Sequence, residues 1–195
     1  MVSDGSTVKV TDRFIGSLIE QLDEIVVDAR SLAEGLSREQ FNWRPDARRW
    51  SIAQCLEHIT LSIRLYPESI ERMIREARQR AATARPYREG WFSRWMVTNM
   101  EPPPRMRIRT KRSVDPAADL DRDTVLRDFE RALTTLKDLA LSADGASLRH
   151  ARMRSPFAPI LRFTLPQTFA INAAHARRHL WQARQVRQHP NFPTS

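Results

Sequence analysis

Ser51-Ile-Ala-Gln-Cys-Leu-Glu-His-Ile-Thr-Leu-Ser-Ile-Arg-Leu-Tyr-Pro-Glu-Ser-Ile-Glu-Arg-Met73 decides the fold. Its first residues, Ser51-Ile-Ala-Gln54, have the form of a capping box. The Ser hydroxyl satisfies a free backbone N–H while the Gln amide reaches back to the cap. Behind the cap, Ile52, Leu56, Ile59, Ile63, Tyr66, Ile70, Met73 and Ala77 recur at three- and four-residue steps. That is a near-heptad apolar seam about seven turns long. Pro67 falls inside the seam and removes one helical hydrogen bond. Because the apolar phase carries across it, a kink in one continuous helix is expected.

Three further segments carry the same signature. Phe14, Leu18, Leu22, Ile25, Val26, Ala29 and Leu32 make a long amphipathic helix of Thr11 to Leu36, ending near Gly35. Leu126, Phe129, Leu133, Leu136, Leu139 and Ala140 mark another, from about Thr124 to near Gly145. The last opens at Thr164-Leu-Pro-Gln167, a second capping box with proline in the first turn, and runs to about Gln188 before His189-Pro190. Residues 1–10 are polar and expected to fray. Leu36 to Pro45 reads as a turn-rich connection whose Phe41 and Trp43 cover one end of the core. Residues 85–121 are a long irregular excursion with one short helix around Trp91–Met96, and residues 146–163 are an irregular approach. Four long helices without a strand pattern predict an all-α four-helix bundle, in a single domain over residues 1–195.

Composition bounds the function. The chain has 195 residues, 41% hydrophobic and 28% charged, with 5 Gly and 1 Cys. The lone Cys55 excludes an internal disulfide, and no signal-like or membrane-spanning run is present, so a cytoplasmic protein is expected. The net charge of +9 comes almost wholly from Arg, scattered at spacings typical of solvated helix faces. One cluster, Arg105-Met-Arg-Ile-Arg-Thr-Lys-Arg112, is denser, but it holds no interleaved aromatic residue and no nucleic-acid-binding motif accompanies it. Nucleic acid is therefore not the expected partner.

The chemistry-bearing residues are histidines. His175 and His179 stand four apart on the last helix, on one face, where two imidazoles can share an ion. As a bare pair they are more often two surface or capping residues. At about 100° per residue, they fall about 120° and 80° to one side of the seam formed by Phe169, Ala173, Ala176, Leu180 and Ala183. His58 falls about 120° from the centre of the Ile52–Ile70 seam, so all three sit on the shoulder of a core stripe and can converge between helices. Asn172 and Gln182, each three residues from a ligand, are candidates to orient an imidazole. Cys55, one turn before His58, reads as a small core residue, with a fourth ligand the alternative.

Gly35-Leu-Ser-Arg-Glu-Gln-Phe-Asn-Trp-Arg-Pro45 followed by Arg49-Trp-Ser-Ile-Ala-Gln-Cys-Leu-Glu-His58 resembles the opening signature of the DinB-like (DinB/YfiT) superfamily. Ala174-His-Ala-Arg-Arg-His-Leu-Trp-Gln182 resembles its closing one. The resemblance implies an up-down-down-up bundle, often a homodimer, in which three histidines hold a divalent metal, commonly zinc or nickel. Carried over by position, these are His58, His175 and His179. Some relatives are metal-dependent thiol S-transferases or maleylpyruvate isomerases that use a low-molecular-weight thiol, and others are described as metal-dependent hydrolases. A small-molecule substrate is implied. No protein cofactor-binding residue and no catalytic side chain is identified; a metal-held water or thiolate would be the nucleophile. The alternative is a non-catalytic bundle that uses the basic loop 105–112 to bind a partner or nucleic acid.

Overall fold

In the computed structural model, which describes residues 10–79, 90–103, 114–149, 151–158 and 160–194, the Ser51 cap forms as expected. Its Oγ accepts from the Gln54 N–H at 3.1 Å, and Gln54 Oε1 accepts from the Ser51 N–H at 3.2 Å. The helix it starts, which in chain order is the third (α3, Ile52–Ile63), does not continue through the proline. The expected kink is a break: α4 begins anew at Pro67 and runs to Gln79. Across residues 64–66 the chain tightens into three-residue steps, with Leu65 N–H donating to Ser62 at 3.3 Å and Tyr66 N–H to Ile63 at 3.0 Å. Pro67 then takes a first-turn position, where its missing N–H costs nothing. Side-chain phase survives, since Ile63, Tyr66, Ile70, Met73 and Ala77 are all buried.

The other elements follow their sequence signals. Helix α1 spans Arg13–Ala33 under an Asp12 cap, and the chain turns at Gly35, whose φ of +70° suits a residue without Cβ. The turn-rich connection holds a short α2, Arg38–Asn42, closed by a capping box between Ser37 and Gln40. Phe41 is fully buried, and Trp43 packs edge-on against Phe192, so the aromatic pair does cover one end of the core. Helix α5 is Trp91–Met100, and α6 runs from Arg122 to Ala143, before Gly145 at φ +77°. In place of the expected irregular approach there is a two-stranded antiparallel hairpin, β1 (Arg152–Arg154) and β2 (Arg162–Thr164). Helix α7, Leu165–Arg187, completes the described chain, with Gln167 Oε1 accepting from the Thr164 N–H at 2.8 Å.

The described chain is mostly helical. Helix α1 packs on α6 and α7, α3 packs on the same two, α4 reaches α6, α7 and β1, and α5 lies on α7. Large apolar groups such as Ile15, Leu22, Leu56, Phe129 and Phe169 fill the shared core. Helix α7 adds Ala173, Ala176 and Ala183, all fully buried. Small side chains at a helix contact shorten the distance between axes, which brings the shoulder of α3 against that of α7. No described helix is long and apolar enough to cross a membrane.

Candidate metal centre

The three histidines meet. His175 Nε2 lies 3.3 Å from His58 Nε2 and 3.2 Å from His179 Nε2. One ligand atom from each falls within 4.8 Å of the others. His58 and His179 are buried, and His175 is partly buried beside them.

The outer nitrogens fix which protons are where. His58 Nδ1 is 2.8 Å from the Val114 carbonyl oxygen, which can only accept, so Nδ1 carries the proton. His179 Nδ1 stands 3.1 Å from Gln182 Oε1 in the same relation. Both Nε2 atoms are therefore left as acceptors pointing at the third imidazole. His175 has at most one Nε2 proton for two such contacts. Three nitrogens drawn this close without enough protons between them are what a cation resolves. The spacing agrees: ligands about 2.0–2.1 Å from a tetrahedral ion lie about 3.3–3.4 Å apart. The residues present fit a divalent metal.

Electrostatics point the same way. Burial lowers the pKa of all three imidazoles. For His175 the value falls to about 3, through desolvation first, then His58 and the Arg178 guanidinium. For His179 desolvation is again first, followed by His175, His58 and Arg178. On His58 desolvation is opposed by the bond to Val114 and by the charge of Asp115. The cluster is neutral at pH 7, the protonation state that metal binding requires.

Other sequence expectations sort clearly. Gln182 is in hydrogen-bond contact with the His179 ring. The Asn172 amide turns back on its own helix and donates to the Thr168 carbonyl at 2.8 Å, the local bond open to a short polar side chain one turn on. Cys55 is fully buried in the core, its thiol pKa raised by desolvation, and it is not among the clustered ligand atoms. Glu57 accepts from the Ala117 N–H and so serves the backbone. The basic cluster 105–112 and His150 lie outside the described residues.

Two contributors had escaped the sequence reading. The Trp50 indole lies tilted over His58, ring centroids 4.7 Å apart, and over His179 at 5.6 Å, walling the site. Its position directly before the Ser51 cap was the available signal. The Val114 carbonyl, a backbone group 56 residues from His58, leaves no signal at all. Replacing Gln182 with Leu is expected to weaken metal affinity about ten- to hundredfold, as outer partners of ligating histidines generally do. Competition titration against a metal indicator measures it, and one ion per chain should still bind at saturation.

Comparison with the curated proteins and with the solved structures gives no match. Residues 21–183, which carry all three histidines, match the family model of the DinB superfamily, and the chain belongs to that superfamily.

Proposed function

We propose that this protein is a divalent-metal-dependent enzyme acting on a small molecule, with transfer of a small thiol the favoured reaction and hydrolysis the second. The observation that carries the reading is the convergence of three imidazole nitrogens with their outer N–H groups already committed to Val114 and Gln182. We read the scaffold as an up-down-down-up bundle, with α1, α3 together with α4, α6 and α7 as its four columns.

When bound, a divalent ion supplies a Lewis acid that lowers the pKa of a coordinated water or thiol. His58, His175 and His179 would hold it as neutral ligands, and three neutral ligands leave its full charge and an open position. Val114 and Gln182 keep two rings from rotating. Trp50 shields one side from water. The Arg178 field, felt at His175 and His179, favours an anionic group there and so a thiolate over a thiol. Asp115 is the carboxylate whose charge bears on His58. Reaction of the thiolate at an electrophilic carbon needs no proton abstraction at that moment, which suits a site whose clustered groups are imidazoles.

The test uses protein loaded with zinc or nickel, a panel of low-molecular-weight thiols with an electrophilic alkylating probe, and a panel of activated esters. Thiol conjugation should exceed that of chelator-treated protein by about a hundredfold or more, the scale of one well-placed electrostatic catalyst. Faster ester hydrolysis with no thiol conjugation would select the hydrolytic reading, and no metal-dependent turnover in either panel would reject both.

A further inference from the structure

The hairpin carries a charge arrangement that folding alone does not explain. On β1, exposed Arg152 and Arg154 flank buried Met153, and on β2 exposed Arg162 precedes buried Phe163. In the strand register Arg154 stands directly opposite Arg162. Like charges paired across strands destabilise a hairpin, and one with strands of only three residues has little stability to spare. Helix α4 brings a fourth guanidinium, Arg72, with Ser69 beside it, and these residues together line an open cleft of about 370 Å³. Among the described residues no carboxylate lines it. Among the described residues none of the three hairpin arginines forms an ion pair, and Arg72 has only the exposed Glu76, 3.9 Å away on its own helix.

We propose that this cleft binds a small ligand bearing two or more linked phosphate groups, an inorganic oligophosphate or a nucleoside polyphosphate. The planar guanidinium fork matches phosphate oxygens two at a time. One phosphate is satisfied by about two such forks, whereas four arginines on two facing walls match a chain of phosphates. The cleft is concave and of small-molecule size. None of its described lining residues is aromatic, so these supply no stacking platform of the kind that marks a single-stranded nucleic-acid track. It shares no described residue with the histidine cluster: Ser69 and Arg72 stand on α4, beyond the break at residues 64–66, whereas His58 stands on α3.

Calorimetric titration of the full-length chain with sodium tripolyphosphate and with ATP, at about 0.15 M NaCl where exposed charges are screened, tests the proposal. One saturable site is expected for each ligand. The double variant Arg154→Gln, Arg162→Gln should weaken it at least tenfold, while Arg13→Gln with Arg131→Gln, of equal net charge, should change it less than twofold. Arg154→Lys with Arg162→Lys, which keeps charge but loses the forks, should fall between. Thermal melting should show the glutamine variant at least as stable as the parent, since an opposed like-charge pair is gone. If it is unfolded, Arg72→Gln on the facing wall carries the test with a loss of threefold or more. Metal content should be the same in every variant. Absence of saturable binding, or equal weakening in the charge-matched control, overturns the proposal. So does arginine-dependent binding of an oligonucleotide that tripolyphosphate fails to displace.

Discussion

Replacing His175 with alanine is expected to take metal content from about one ion per chain to background while leaving the helices folded. Its Nε2 is the shared member of both close contacts, at 3.3 Å to His58 and 3.2 Å to His179. Without it two imidazoles remain, and two ligands do not hold an ion against dilution. Outer partners of such sites are worth about ten- to hundredfold in affinity, so loss of a ligand itself exceeds that range. Stability should change by less than about 1 kcal/mol, because the packing lost with the ring is offset by relief of a crowded set of acceptors. His58→Ala is different. It removes the same metal, but it also deprives the buried Val114 carbonyl of its donor and Trp50 of its ring partner. A buried acceptor left unpaired costs about 1–3 kcal/mol. Elemental analysis after dialysis, with urea denaturation of the same samples, separates the two effects. One ion per chain retained in the alanine variants of His58, His175 and His179 alike would sink the three-ligand centre.

That contrast marks where sequence reasoning was sufficient and where it was not. The caps at Ser51 and Thr164 and the stops near Gly35 and Gly145 are local: each is settled by residues within one turn, and each stands where its sequence places it. The angular position of His58, His175 and His179 is also local, because helical periodicity converts spacing into direction. Their heights along two helix axes are not, and the meeting depends on the alanine-lined contact of α7. Pro67 shows a subtler limit. A kinked helix and two helices in phase bury the same residues, so periodicity cannot separate them, and the i→i+3 bonds at Leu65 and Tyr66 decide. The hairpin was illegible for lack of length, since Arg-Met-Arg and Arg-Phe-Thr each offer one alternation. The hydrogen bond that holds His58 is donated to a backbone carbonyl, and any residue at position 114 would supply that acceptor.

Lowering the pH of the metal-free protein from 7 to 5 is expected to destabilise it steeply. All three imidazoles have folded-state pKa values below the ordinary 6.5, with desolvation the leading cause in each. A lowered histidine pKa means that the unfolded chain binds the proton first. Stability is therefore full above about 6.5 and is lost as pH falls from there towards the folded value. For His175 that value is about 3, and the resulting loss between pH 7 and 5 is about 2 kcal/mol. His58 and His179 add to it in the same direction. Carboxylates act elsewhere on the scale: Asp119, Asp121, Glu130 and Asp144 are held below their usual range, so what they contribute is lost only as pH falls below about 4.5. A decline that starts near 6.5 thus belongs to the imidazoles. Urea unfolding of chelator-treated protein at pH 7, 6 and 5 measures it, and His175→Ala should lose less stability over the same interval by about its own share. A bound ion should hold the folded midpoint up at pH 6 by mass action and be released as protons displace it. A flat stability profile from pH 7 to 5, or one unchanged in His175→Ala, would mean that the cluster takes up protons without opening, against the burial and mutual repulsion that the geometry imposes.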